Sequence, residues 1–149
     1  MSQIQIKRLL KEIDIINREP IDGININADL SQIIWTATII GPKDTPYEGG
    51  VFKLDINCSD GFPFRPPKVK FKTYIYHPNI NDNGEICLDI LRENWAASLT
   101  IQKVLLSIVL LLSSPNPSDP LVPSIAKLYE TDLTTFNDIA KKYTLEKAV

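Results

Sequence analysis

Tyr74-Ile-Tyr-His-Pro-Asn-Ile-Asn-Asp-Asn-Gly-Glu-Ile-Cys-Leu-Asp-Ile-Leu-Arg-Glu-Asn-Trp95 is the stretch on which the reading of this chain turns. It contains the only histidine (His77), one of two cysteines (Cys87) and one of two tryptophans. Pro78 sets its own φ and pushes His77 out of the helical region, and Asn81-Asp-Asn-Gly84 is a turn in which Gly84 permits positive φ. A polar, irregular loop therefore carries a thiol bracketed by Ile86 and Leu88. Loops on a rigid scaffold are where chemistry tends to sit. From these residues alone, an active-site loop and a structural loop with an incidental thiol stand as equal readings.

Upstream of this loop the pattern has period two. Ile24 and Ile26 alternate with Asn25 and Asn27, and over 32–40 the set Ile33, Trp35, Ala37 and Ile39 is wholly apolar. Phe52, Leu54 and Ile56 alternate with Lys53, Asp55 and Asn57, and Val69 and Phe71 alternate with Lys68, Lys70 and Lys72. Four strands with short connections predict an antiparallel meander with one buried and one wet face, its lysines belonging to the solvated side. Cys58 continues the inward parity of β-type positions 52, 54 and 56, so it reads as an inert core thiol, unlike Cys87. The proline-dense Phe62-Pro-Phe-Arg-Pro-Pro67 cannot join a central strand. Its Phe64 is either a loop anchor folded inward or a presented apolar contact.

The remaining segments read as helices. Residues 2–18 carry Ile6, Leu9, Leu10, Ile13 and Ile16 at helical spacing with Ser2 as a cap, and Lys7, Arg8 and Lys11 form a cationic patch off that stripe. Thr100 caps a helix to about 113, whose Ile101, Val104, Leu105, Ile108, Leu111 and Leu112 share one face. Leu106 and Leu110 fall on the opposite side, flanked by Gln102, Lys103, Ser113 and Ser114. They are either covered by later helices or offered to a partner. Helices near 122–130 and 132–147 follow, the second with Phe136, Ile139, Ala140 and Tyr143 inward. The prediction is an α+β fold forming one domain over 1–149: N-terminal helix, four-stranded antiparallel meander, loop, central helix and two C-terminal helices.

Composition narrows the function classes. The chain has 149 residues, 44% of them hydrophobic, and a net charge of −2, which argues against a general nucleic-acid binder. Two cysteines and one histidine cannot complete a tetrahedral zinc site. The apolar run 104–112 is far short of a membrane span, and no leader-like segment precedes the first helix, so a reducing, aqueous compartment is expected.

The quoted stretch resembles the signature of ubiquitin-conjugating enzymes, and the resemblance covers essentially the whole chain. His77-Pro-Asn79 followed by Gly84-Glu-Ile-Cys87-Leu-Asp89 carries it, with Pro63-Phe-Arg-Pro-Pro67, Trp95 and Pro115-Asn-Pro-Ser-Asp-Pro-Leu121 in the family's order. The chain is most similar to the broad-specificity, core-only members. The resemblance implies that Cys87 accepts ubiquitin as a thioester from the activating enzyme and, with a RING- or HECT-type ligase, passes it to a substrate lysine. Asn79 would stabilise the loop or the oxyanion, Asp89 and Asp119 would flank the incoming lysine, and His77 and Pro78 would be structural. Lys7, Arg8 and Lys11 resemble positions that meet the activating enzyme. Pro63, Phe64 and Arg65, with Trp95, Ala96 and Ala97, resemble the ligase-docking loops. Leu106 and Leu110 would meet thioester-linked ubiquitin. Relatives commonly have Ser-Pro-Ala where this chain has Ala96-Ala97-Ser98, which predicts a less constrained second docking loop. Phe62–Pro63 is a candidate cis bond on the same resemblance. The implied protein binds no cofactor itself, ATP being used upstream. It is expected to be a monomer of cytoplasm or nucleus, with protein partners and neither nucleic acid nor membrane.

Three alternatives stay open. The modifier could be another ubiquitin-like protein. A cysteine hydrolase using Cys87 and His77 needs an imidazole nitrogen within hydrogen-bond reach of the sulfur. A non-catalytic ubiquitin-binding module would be expected to lack the cysteine. By sequence proximity the charges near Cys87 are Glu85 and Asp89, which raise a thiol pKa where a hydrolase needs a nearby cation to lower it.

Overall fold

Ser2 opens the first helix with a reciprocal cap: its hydroxyl accepts from the Gln5 N–H while Gln5 Oε1 accepts from the Ser2 N–H. The structure is a computed structural model describing residues 1–149, and in it α1 spans Gln3–Arg18. Strands β1 (Ile24–Asn27), β2 (Ile34–Ile40), β3 (Val51–Asn57) and β4 (Lys68–Phe71) follow, each antiparallel to the next in the order β1-β2-β3-β4. Register brings Trp35 opposite Ile56, Ala37 opposite Leu54, Ile39 opposite Phe52 and Leu54 opposite Phe71. All of these are buried. A one-residue slip would turn the whole set to water, so the alternation itself specifies the register.

α2 (Ile101–Ser113) is capped by Thr100, whose hydroxyl accepts from the Lys103 N–H, and its Ile101, Val104, Leu105, Ile108 and Leu112 enter the same core as the sheet. α3 (Pro123–Thr131) and α4 (Leu133–Lys147) close the chain, and Asp132 caps α4 by accepting from the Thr135 N–H. Phe136 and Ala140 are buried, while Ile139 and Tyr143 are half-buried, Tyr143 edge-on to Tyr74 with ring centroids 4.9 Å apart. The α+β order of helix, meander, loop and three helices is the predicted one. Cys58 lies in the core, where burial pushes its thiol up to about 12.

Two inward assignments and one outward assignment are corrected. Ile33 is 71% exposed, because β2 starts at Ile34, which pairs with Asn57 at the very end of β3 and leaves Ile33 no partner. Leu10 is exposed because the buried face of α1 centres on Leu9 and tilts toward Glu12; at about 100° per residue Leu10 falls on the opposite flank. Gln102 is buried rather than beside Leu106, and its Nε2 donates to the Glu19 carbonyl at the end of α1.

Glu12 is the least anticipated core residue. It is 2% exposed, with Oε1 accepting from the Ile101 N–H at 2.7 Å and Oε2 paired to Arg8 Nε at 3.0 Å. A carboxylate from α1 thus satisfies a free N–H of the first turn of α2, where the helix dipole favours negative charge.

Candidate active site

Asn81 Oδ1 accepts from the N–H groups of Asn83 and Glu85, and the Gly84 N–H donates to the Asn81 carbonyl, closing the turn foreseen at 81–84. Gly84 has φ +79°, and a Cβ there would lie 2.0 Å from the Phe71 carbonyl oxygen. Only glycine lets this turn reach β4, where the Phe71 N–H donates to the Gly84 carbonyl. The turn returns the chain so that the Cys87 N–H donates to the Asn79 carbonyl at 2.8 Å. Cys87 is set at a position rather than left on a free loop.

His77 is fully buried and both ring nitrogens are occupied. Nε2 donates to the Leu111 carbonyl at 3.0 Å, and Nδ1 accepts from the Asn79 N–H at 2.9 Å. Nothing is left to take a proton from Cys87, which removes the Cys87–His77 hydrolase. Burial lowers the His77 pKa to about 4 despite the Leu111 bond. The unfolded chain therefore binds a proton that the folded one refuses between about pH 6.5 and 4. That contribution to stability is complete above about 6.5 and is lost as pH falls through about 4, roughly 3 kcal/mol in all. As the only histidine, His77 gives a single pair of imidazole C–H signals in proton NMR, from Cε1 and Cδ2, expected to titrate together near 4. A midpoint near 6.5 contradicts the burial.

Asn79 is buried and every arm of its amide is used. Oδ1 accepts from the Asn116 N–H at 2.9 Å, and Nδ2 donates to the carbonyls of Asn116 at 2.8 Å and Asp119 at 3.0 Å. Pro78 works beside it, its carbonyl accepting from the N–H groups of Leu121 and Val122. Together they hold the 116–122 segment over Cys87. Of the two roles anticipated for Asn79, the geometry serves the loop.

Cys87 is 8% exposed. Its Sγ lies 3.4 Å from the Asp119 carbonyl oxygen and 3.5 Å from Asp119 Oδ2, while Arg92 Nη2 donates to it at 3.0 Å. The same Nη2 reaches Asp119 Oδ2 at 3.2 Å. The charges expected from sequence proximity are thus replaced: Glu85 is engaged with Asn81, and Asp89 accepts from the Ile90 N–H and from Asn94 Nδ2. Asp119 is brought to the sulfur, whereas Asp89 is committed to the start of a 3-10 turn, Asp89–Leu91. Burial raises the Cys87 pKa, Arg92 opposes it, and the hydrogen bond and charge of Asp119 and the charge of Glu93 add to the rise. The direction is as expected, but its causes are different. Arg92 escaped sequence reading because only the 3-10 turn folds position i+5 back onto the thiol. No group of three or more His, Cys, Asp or Glu residues is placed to hold a metal, and no helix is long and apolar enough to cross a membrane.

The other predicted residues divide. Lys7, Lys11 and Phe64 border one open groove of about 600 Å³ between α1 and the 62–67 loop, with Ile4 and Leu10 on its wall. Phe64 is 67% exposed, and Ala96 and Ala97 are exposed. Arg65 is exposed and paired with Asp60 at 3.7 Å. Pro63 is buried, not presented, and its carbonyl accepts from Trp95 Nε1 at 2.9 Å. The Phe62–Pro63 bond is cis, as anticipated. Arg8 is no free cation: besides Glu12 it donates to the Ala97 carbonyl and, at 2.7 Å, to that of Leu99, with its guanidinium over the Phe62 ring. The 96–99 loop, expected to be loose without its proline, is held from outside by this arginine. Leu106 and Leu110 are 40% and 60% exposed, so the C-terminal helices do not cover them.

An N-terminal helix, a four-strand meander and three C-terminal helices, with a single cysteine in a loop braced by an Asn amide, define the ubiquitin-conjugating fold. A family model described as ubiquitin-conjugating enzyme matches residues 8–144, and the chain belongs to that family of transferases.

Proposed function

We propose that this protein accepts ubiquitin from the activating enzyme as a thioester on Cys87 and, with a RING- or HECT-type ligase, passes it to lysines of protein substrates. The observation that carries this reading is the setting of Cys87: a held thiol with Asp119 at its mouth and no imidazole free to activate water. Moving an acyl group between thiols is nearly isoenergetic and needs little more than a reachable sulfur. Attack by lysine needs the amine aimed and desolvated, a task that suits Asp119. The groove shared by Lys7, Lys11 and Phe64 suggests that activating enzyme and ligase use this surface one at a time. No cofactor is required on the domain, ATP being consumed upstream, and the protein is read as a monomer acting in cytoplasm or nucleus.

The test is incubation with ATP, activating enzyme and ubiquitin, in parallel with other ubiquitin-like modifiers. The expected result is a thiol-sensitive adduct with ubiquitin that is lost in Cys87→Ala. Preferential charging with another modifier reassigns the substrate, and no adduct with any of them defeats the reading.

The exposed Leu106 and Leu110 are read as the surface on which thioester-linked ubiquitin folds back, confining its C-terminus for attack. Covering one leucine is worth roughly 1.5–3 kcal/mol, enough to shift a weakly populated closed state. Leu106→Arg should therefore leave folding and charging intact while slowing ligase-stimulated discharge to free lysine ~10-fold. Normal discharge by a well-folded variant rules this surface out.

A further inference from the structure

The 3-10 turn Asp89–Leu91 ends with the Arg92 N–H donating to the Asp89 carbonyl, and this brings the Arg92 side chain back over Cys87. One nitrogen, Nη2, meets both the sulfur at 3.0 Å and Asp119 Oδ2 at 3.2 Å, while Nε lies 3.7 Å from Glu93 Oε2. An arginine half open to solvent has little reason to adopt this pose for stability, because exposed ion pairs are worth little. The pose does suit a sulfur that must carry charge.

We propose that Arg92 is a catalytic residue of both acyl transfers at Cys87, its guanidinium donating to Sγ whenever that atom holds the free electron pair, with Asp119 keeping it in place. The proposal rests on the thioester reading above. In charging, the Cys87 thiol gives its proton to solvent and the thiolate attacks the thioester carbonyl carbon of ubiquitin on the activating enzyme. A C–S bond forms to Cys87, and the old C–S bond breaks with its pair leaving on the activating enzyme's sulfur. In discharge, the lysine nitrogen forms the C–N bond and gives up a proton to water. The C–S bond breaks, and its pair returns to Cys87 Sγ. Each transfer thus has a thiolate on Cys87 at one end, in surroundings where burial, Asp119 and Glu93 all disfavour it and Arg92 alone favours it. A charge-assisted hydrogen bond aimed where charge develops lowers the barrier in both directions. The acylated sulfur is a poor acceptor, so the contact strengthens as the thiolate forms.

The test begins on the free protein: alkylation of Cys87 by iodoacetamide as a function of pH, read peptide by peptide, with the buried Cys58 silent over the range. Arg92→Gln should move the midpoint up, cutting alkylation near pH 7.5 by ~10-fold, since one pH unit is a factor of ten in thiolate. Arg92→Lys should recover part of the loss, and Asp119→Asn should move the midpoint down. Opposite shifts from two touching residues are not produced by a merely structural role. Single-turnover discharge of the ubiquitin thioester to free lysine should slow ~10-fold in Arg92→Gln, with Arg92→Lys between. Superimposable alkylation profiles for Arg92→Gln and wild type overturn the proposal even where charging is normal. Shifted profiles in a protein that forms no ubiquitin adduct overturn the function reading instead, and with it any catalytic role for Arg92.

Discussion

Replacing Asn79 with alanine is expected to slow discharge from Cys87 to lysine ~100-fold and to lower Tm by roughly 5–10 °C, while leaving formation of the thioester in place. The amide of Asn79 makes three hydrogen bonds to the segment that carries Asp119. Its loss leaves the Asn116 N–H without a partner in a part-buried site and reduces the Asn116 and Asp119 carbonyls to their longer bonds from the Asp119 N–H and Cys87 Sγ, both at 3.4 Å, a cost of roughly 2–3 kcal/mol. Asp119 then loses its position beside Sγ, and a misplacement of about 1 Å is enough for a hundredfold loss of rate. Charging survives because the bond from the Cys87 N–H goes to the Asn79 backbone carbonyl, which alanine keeps. The two roles assigned to Asn79 part on stability. A donor held only for the oxyanion predicts slow discharge with an unchanged Tm, and that result would restore the oxyanion role. Normal discharge would remove Asn79 from the mechanism.

Glu12→Ala should be the more damaging change for the fold, with a loss of roughly 3–5 kcal/mol and a Tm lower by ~10–15 °C. The substitution strands Arg8, whose side chain is only 17% exposed, and removes the acceptor for the Ile101 N–H. Breaking one partner of a buried pair costs more than the pair is worth, because the remaining charge stays buried. The damage should reach the docking loop, since the arginine that Glu12 orients also holds the carbonyls of Ala97 and Leu99. Ligase-stimulated discharge should thus fall further than discharge to free lysine alone. Glu12→Gln keeps one acceptor oxygen for the Ile101 N–H but turns an amide NH2 toward Arg8, so it should cost less than Glu12→Ala without restoring the wild-type Tm. A Tm within 2 °C of wild type for Glu12→Ala would show that α1 and α2 are held by apolar packing alone.

Glu12 also marks the limit of what was legible beforehand. The strands, their register and the inward faces of α1 and α2 are carried by local periodicity, and the buried faces follow it at Trp35, Leu54, Phe71, Val104 and Ile108. The caps at Ser2 and Thr100 and the glycine turn at Gly84 were equally local. Leu106 and Leu110 were legible as an outward pair for the same reason, the geometry of one helix. Errors fell at the ends of elements and on the flanks of faces, at Ile33, Leu10 and Gln102, where the partner decides what is covered.

The sequence by itself determined the α+β order, the core and the loop that carries Cys87, because each depends on neighbours within a turn or a strand. It also pointed to the family, through residues whose spacing survives as a pattern along the chain. Only the tertiary structure decided which groups meet at the sulfur. Asp119 lies 32 positions from Cys87 and Arg92 reaches it through a 3-10 turn, while Asp89 and Glu85, nearer in sequence, bond elsewhere. Only the tertiary structure could bury Glu12 against the start of α2, 89 positions away. Backbone and side-chain hydrogen bonds between distant segments have no period to betray them, and a charge placed by a fold need not be near in the chain to be near in space.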